Sequence, residues 1–252
     1  MAFTKDDLGN RMKENYEDRA RILLPRRTYT VIRLDGKAFH TFTKNFKRPF
    51  DENLIRMMNQ TAIALCEEIQ GAKFAYTQSD EISLLLTDFD NQKTSAWFDG
   101  NVQKIASVSA SIATTAFNYE FLKSNQVESR KKLACFDSRV FTIPQAVEVE
   151  NYFIWRQQDC TRNSVSMMAQ SVCSHKKLQH VKQAGLQDIT HEAGINWNDY
   201  PAYLKRGRVI IKETYEKGLA TRTRWVAEAP PIFTQDRKYL ADKLGILLLN
   251  QQ

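Results

Sequence analysis

No stretch of this 252-residue chain approaches the roughly twenty consecutive apolar residues of a membrane-spanning helix, so no membrane partner is expected. The opening segment, MAFTKDDLGNRMKENYEDRA, is charged throughout and lacks the apolar centre of a secretory leader. Cysteine is scarce. Cys66, Cys135, Cys160 and Cys173 lie far apart and form no Cys-x-x-Cys pair. They read as reduced thiols of a cytoplasmic protein, without a disulfide framework or a zinc site. Internal repeats and low-complexity linkers are also missing.

What is present fits one large globular unit or two small ones with a proper core: 42% of residues are hydrophobic and 11% aromatic. We expect residues 1–144 to form a catalytic core and residues 145–252 a helical and β-hairpin portion that completes it, the two making one compact unit. The net charge of +7 is unevenly spread. Between Lys176 and Arg224 there are ten Lys or Arg against five Asp or Glu. Such a region suits the phosphates of a nucleic acid, or simply a solvated surface.

The chain is organised around Tyr29–Lys44 (YTVIRLDGKAFHTFTK) and Lys73–Phe89 (KFAYTQSDEISLLLTDF). Each holds apolar, β-rich runs beside a carboxylate, which read as strands with turns at their ends. As neighbours in one sheet, these strands bring Asp35 and Asp80 together at its edge. Hard cations such as Mg2+ take one or two carboxylates plus the phosphates of a substrate, so this pair is a candidate centre for metal-assisted phosphoryl chemistry. Gly36 permits close backbone approach. Lys37 and His40 are placed to meet a triphosphate, and Phe39 to stack on a base. Asp-Gly and Ser-Asp-Glu are also ordinary turn sequences, and His40 suits a structural role equally well.

Along the chain, Thr4-Lys5-Asp6-Asp7 predicts a capped helix running to about Arg21. Asp51 predicts the cap of a helix with Leu54, Met57, Met58, Leu65 and Ile69 on its packed face. A long helix from Val102 to about Lys123, rich in small residues, follows the 73–89 hairpin, and 134–143 reads as a fourth strand. Strand, helix, strand, strand, helix, strand is the order of the split βαβ. The expected class is therefore α+β: a ferredoxin-like, polymerase-palm antiparallel sheet with helices on one face, plus a largely helical second half. There we expect helices over Ala146–Gln158, Asn163–Cys173 and Lys176–Ala184, a hairpin near Val209–Lys212 and Thr221–Val226, a helix at about Gln235–Leu244 and an apolar tail at 246–249.

IRLDGKAFHTFTK followed by AYTQSDEISLLL resembles the paired signature of the tRNA-His guanylyltransferase family, including its tRNA-repair relatives, the 3'-to-5' polymerases. FDSRVFTIP (136–144), YFIWRQQDCTRNS (152–164) and TRTRW (221–225) are similar to further family landmarks, in family order. The resemblance implies an enzyme with tRNA as partner and a homotetrameric assembly. It implies two Mg2+ ions on Asp35, the Gly36 carbonyl and Asp80, with GTP, ATP and other NTPs as substrates. Ser79, Lys37, Ala38, Phe39 and His40 would form the nucleotide cradle, with Lys104 directed at the triphosphate. A family Arg appears here as Asn101. Glu81 is either a third acidic contributor or a residue that positions the metal shell. Arg162, Asn163 and Ser164 are candidates for a second phosphate site, and Arg206, Arg208, Arg222 and Arg224 for tRNA contact. Arg139 and Arg156 sit in family landmarks, where ion pairing with Asp137 or Asp159 is the alternative.

The chain departs from the family at one informative place. Members that add guanine to tRNA-His carry His-Ile-Asn-Asn-Leu-Tyr-Asn where this sequence reads Thr161-Arg162-Asn163-Ser164-Val165-Ser166-Met167. The departure resembles relatives that restore missing 5' nucleotides by copying the opposite strand. The expected function is thus templated repair of 5'-truncated tRNA. The alternatives are untemplated guanine addition to tRNA-His, a palm-fold nucleotide cyclase-like enzyme, or a non-catalytic RNA-binding protein.

Overall fold

The computed structural model describes residues 6–124, 132–218 and 220–246. Helix α1 (Asp7–Met12) is capped by Asp6, whose carboxylate accepts a hydrogen bond from the Gly9 amide at 2.9 Å. The helical path continues to Ala20, first wider and then tighter; Thr4, the expected cap, lies outside the described residues. Then come β1 (Tyr29–Gly36), the short α2 (Phe39–Phe42), α3 (Glu52–Glu68), β2 (Ala72–Gln78), β3 (Glu81–Leu86), α4 (Val102–Leu122) and β4 (Phe136–Ile143). The second half adds α5 (Ala146–Val172), α6 (His175–Leu178), α7 (Gln183–Glu192), α8 (Ala202–Lys205), β5 (Arg208–Lys217), β6 (Ala220–Glu228) and α9 (Arg237–Leu244). No described helix is long and apolar enough to cross a membrane.

The strands form one antiparallel sheet in the order β4-β1-β3-β2-β5-β6. Its first four strands have the split-βαβ arrangement expected from the sequence. Period-two alternation then decides which side chains face which layer. Ile32, Leu34, Ile82 and Leu84 pack against α3 and α4, with Met57, Met58 and Leu65 as core residues. Val31, Phe74, Tyr76, Leu85 and Val209 face the other way, onto Val149, Phe153 and Ile154 of α5 and Leu240 of α9. The second half therefore covers the opposite face of the sheet, and every residue of β3 is buried.

Three local expectations differ. The predicted break between Gln158 and Asn163 is absent, and α5 is continuous. No Gly or Pro interrupts it, and the polar turn is tied along the helix by Arg162 to Asp159 (2.8 Å) and by the Thr161 hydroxyl to the Gln157 carbonyl (3.0 Å). The helix predicted over 176–184 is replaced by α6 and α7, because the chain breaks where His180 takes a left-handed φ of 64°. The 209–226 hairpin is longer than predicted and extends the sheet by pairing β5 with β2. Of the expected apolar tail, Ile246 is buried against the α5–α9 layer, and the rest lies outside the described residues.

Candidate active site

Asp35 and Asp80 meet at the end of the sheet. Asp35 is the penultimate residue of β1, and Asp80 occupies the turn between β2 and β3. The Gly36 amide donates to the Asp80 carbonyl at 3.1 Å and fixes the two loops together. Packing explains the Asp-Gly sequence. A Cβ at position 36 would fall 2.2 Å from the Phe39 ring, so only glycine fits. Ala38 (φ 54°) and Ser79 (φ 46°) both adopt the left-handed conformation, which costs a residue with a side chain roughly 1–2 kcal/mol. Backbone strain on both sides of the carboxylate pair is a common mark of a functional site.

Of the cradle candidates, Gly36, Ala38, Phe39, His40, Ser79 and Asp80 line a cleft of about 400 Å³, whereas Asp35 and Lys37 are not among its lining residues. Its far wall comes from Thr43, Lys47, Arg48 and Asp51, with Met167 and Gln170 of α5. Sequence reasoning missed Lys47 and Arg48, two exposed cations on the cleft. The basic pair beside the helix cap was the available signal, since the Asp51 carboxylate accepts from the Leu54 and Lys47 amides at 3.0 and 2.9 Å.

Several candidates sit differently from their expected roles. Phe39 is only 3% exposed and packs edge-on against Phe117 and at a tilt against Phe42 and Phe136. It cannot stack on a base, because its ring is the anchor of the aromatic core beneath the cleft. His40 is exposed, with its Nε2 3.0 Å from the Thr41 hydroxyl. Lys37 is exposed at the end of β1, its amide donating to the Cys135 carbonyl at 2.8 Å. Lys104 lies outside the cleft lining, with its ammonium 6.0 Å from the Phe98 ring. Asn101, in place of the family Arg, caps α4 by accepting from the Lys104 amide at 3.0 Å.

Glu81 is not a free third acid. Its carboxylate is held at 2.7 Å by both Arg33 and Arg156. Burial still raises its pKa above the ordinary value. Arg156 is 2% exposed, also reaches Asp159 at 3.2 Å and lies 3.6 Å over the Trp155 ring. The ion-pairing alternative therefore describes Arg156. It describes Arg139 as well, at 3.8 Å from Asp137 and 3.9 Å from Asp35.

The three candidates for a second phosphate site do not line one pocket. Arg162 lines a groove with Trp197 and Arg206, whereas Asn163 and Ser164 line a small pocket beside the main cleft. Arg162 and Asn163 nonetheless share a partner, donating to the Asp159 carboxylate at 2.8 and 3.4 Å. The Ser164 hydroxyl is already committed, donating to the Thr161 carbonyl at 2.8 Å and accepting from the Trp197 indole at 3.0 Å. Arg208 is not a surface contact either. It is 6% exposed, donates to Asn59 at 2.9 Å, and has its pKa lowered by burial. Arg222 and Arg224 are exposed on β6, with Arg224 paired to Glu213 at 2.8 Å.

The electrostatics of the carboxylate pair suit a cation. Burial, reinforced by the charge of Asp35, pushes the Asp80 carboxyl up to about 6. The folded value lies above the ordinary 3.8, so the fold penalises the ionised form. That penalty is absent below the unfolded value, grows as pH rises through the window, and is complete above about 6. Asp80→Asn is therefore expected to stabilise the metal-free protein by about 1–2 kcal/mol near pH 8 and to change little near pH 4. Denaturant unfolding in EDTA reads this directly, and equal stability at the higher pH would show that neither burial nor Asp35 disfavours the ionised Asp80 carboxylate. The Asp35 and Asp80 carboxylates are hard oxygen donors of the kind Mg2+ accepts when water and phosphate complete its shell. Among the described residues no group of three or more His, Cys, Asp or Glu is arranged to hold a metal alone.

A palm-type antiparallel sheet with two neighbouring carboxylates beside a cation-walled cleft fits a phosphoryl-transfer enzyme of the nucleotidyltransferase kind. Residues 9–144 match the Thg1 family, described as tRNAHis guanylyltransferase. The chain is 45% identical to a bacterial tRNA(His) guanylyltransferase-like protein solved in complex with ATP. That likeness has a TM-score of 0.86 and covers 94% of this chain and 99% of the other. A similar protein solved with GTP gives 44% identity and a TM-score of 0.82 over 95% and 99% of the two chains. The tRNA(His) guanylyltransferase of Debaryomyces hansenii is 29% identical over 211 residues, 78% of this chain and 77% of the relative. The chain belongs to the tRNAHis guanylyltransferase family and is a nucleotidyltransferase.

Proposed function

We propose that this protein adds nucleotides to the 5' end of tRNA in the 3'-to-5' direction, copying the opposite strand to repair 5'-truncated molecules. The Asp35–Asp80 pair, of which Asp80 lines the cleft and Asp35 precedes the lining residue Gly36, carries the reading. A 5'-monophosphate is first activated by ATP or GTP, its oxygen displacing pyrophosphate from the α-phosphorus. The 3'-hydroxyl of an incoming NTP then attacks the activated 5' phosphate, and AMP or GMP leaves; on a 5'-triphosphate end, pyrophosphate leaves instead. Two Mg2+ ions bound at Asp35, Asp80 and the Gly36 carbonyl would supply positive charge to the attacking and leaving oxygens. Lys47 and Arg48 supply cations along the cleft wall, while Ala38, His40 and Ser79 shape the floor against the triphosphate.

Residues 1–144 serve in this reading as the palm-like catalytic core, and residues 145–252 complete the nucleotide and tRNA sites. Met167 and Gln170 on the cleft wall support that division of labour. The free cysteines suit a cytoplasmic setting. A homotetramer is part of the same reading. It would cover Leu8, Met12 and Tyr16, which are 62%, 41% and 70% exposed at helical spacing near the N-terminus, and light scattering would register it.

Templating rests on the altered 161–167 segment, which places the apolar Met167 on the cleft. The second reading, untemplated guanine addition to tRNA-His, draws support from the name of the Debaryomyces relative. A tRNA lacking its 5' nucleotide is incubated with Mg2+ and each labelled NTP in turn, with the templating base varied. Templated repair requires the added base to track its Watson–Crick partner. Guanine alone, on tRNA-His alone, would establish the second reading, and no transfer to any tRNA would sink both.

A further inference from the structure

The carboxylate pair has a second side. Strand alternation puts Asp35 on the face of β1 shared by Val31 and Arg33, toward the layer that holds α5. Across β4, Asp35 is in register with Asp137, and Arg33 with Arg139. Register partners on neighbouring antiparallel strands project from the same face and lie roughly 5 Å apart. Arg139 is 58% exposed, and its Nη2 stands 3.9 Å from Asp35 and 3.8 Å from Asp137. Both distances exceed a hydrogen bond. The guanidinium is therefore held by charge beside a catalytic carboxylate, with its donors still to be used.

The same face continues to an exposed aromatic. Trp155 of α5 is 46% exposed, while the guanidinium of buried Arg156 lies 3.6 Å from its ring and that of Arg33 lies 6.0 Å away. Tyr152 meets the ring edge-on at 5.9 Å between centroids. Arg33 itself keeps a buried Nε without a partner. An indole braced by two cations and left open to solvent is a stacking surface for a nucleobase, and exposed arginine suits phosphate. Arg139, Arg33 and Trp155 form a strip that starts at Asp35 on the face opposite α3, whose first turns wall the nucleotide cleft.

Resting on the proposed transfer to RNA, we propose that this strip is the acceptor site. Arg139 receives the 5'-terminal phosphate of the RNA, and the first base of the acceptor strand stacks on Trp155. The NTP then enters from the cleft and the RNA end along this strip, and the two meet at Asp35 and Asp80.

The test uses Arg139→Gln, Arg139→Lys, Trp155→Leu and Trp155→Phe in the full chain, with circular dichroism as a check of folding. Arg139→Gln and Trp155→Leu are each expected to raise KM for the truncated tRNA about tenfold or more and to leave KM for NTP within about twofold. Trp155→Phe should retain most of the affinity. A tRNA with 2-aminopurine as its 5'-terminal base gives a readout independent of activity: its fluorescence should be quenched by the wild type and not by Trp155→Leu. An unchanged KM for RNA together with unchanged quenching overturns the proposal. So does an Arg139→Gln effect confined to metal or NTP dependence, which would make Arg139 a charge partner of Asp35 only. Where a Gln or Leu variant misfolds, the Lys and Phe variants decide: wild-type KM and quenching with Trp155→Phe support the strip, and loss of quenching in a folded Trp155→Phe counts against it. A wild type that quenches 2-aminopurine but transfers nothing would overturn the transfer reading and leave the strip standing as an RNA-end site.

Discussion

Alanine at Asp35 is expected to lower nucleotide transfer about a thousandfold while the protein stays folded and still binds tRNA. Metal-mediated charge stabilisation of a phosphoryl transition state is worth several kcal/mol, and each 1.36 kcal/mol is a factor of ten in rate. Structure and stability should survive because Asp35 is partly exposed and takes part in no buried hydrogen-bond network. Its removal also relieves the repulsion felt by Asp80. Single-turnover transfer to a 5'-activated tRNA, beside a thermal melt and a filter-binding isotherm, separates these effects. Transfer above about a tenth of the wild-type rate would remove Asp35 from the catalytic pair.

Arg156→Met should produce the largest loss of stability. Arg156 is a fully enclosed guanidinium that holds Glu81 and Asp159 and packs flat on Trp155. Deleting one partner of a buried ion pair costs about 3–5 kcal/mol when the other charge is left alone, and the retained Arg33 contact to Glu81 puts this loss toward the lower end. The sign of the pH dependence follows from Glu81. Burial already raises its pKa, and with one guanidinium gone the rise grows. The ionised carboxylate is then penalised more as pH increases, so the variant should be weakest at alkaline pH and recover toward pH 5. Adding Glu81→Leu should restore part of the loss, because it removes a buried carboxylate that keeps only one of its two guanidinium partners, although Arg33 then lacks its own partner. Urea unfolding of the single and double variants checks both statements. Equal stability of Arg156→Met and wild type would show that the network contributes nothing net.

The palm strands, the long α4 and the carboxylate pair were legible in the sequence because each depends on short-range pattern. β-rich apolar runs mark β1 and β3, Asp51 caps its helix within three residues, and Asp-Gly sits where the Phe39 ring excludes any side chain. What was not legible depends on long-range packing. Nothing near Phe39 tells that its ring joins Phe117 and Phe136 across the core. Nothing near Arg208 tells that its side chain crosses to Asn59, 149 residues away in the chain. The pairing of β5 with β2 is of the same kind, since two hairpins can join in either order until the core selects one. Lys47 and Arg48 were hidden for a different reason. They belong to a loop without periodicity, and only its return over the cleft reveals them.

The unbroken α5 has a consequence for how the cleft wall can change over evolutionary time. One rod carries Arg156 behind the carboxylates and, eleven residues later, Met167 on the wall of the nucleotide cleft. Each residue inserted between them would rotate everything beyond it by roughly 100° and advance it by about 1.5 Å. The spacing is thus locked to the geometry at both ends, and length variation there would be purged. Side-chain identity on the intervening turns is free to drift. The shape and polarity of the cleft wall can then change by point substitution, without renegotiating the scaffold behind it.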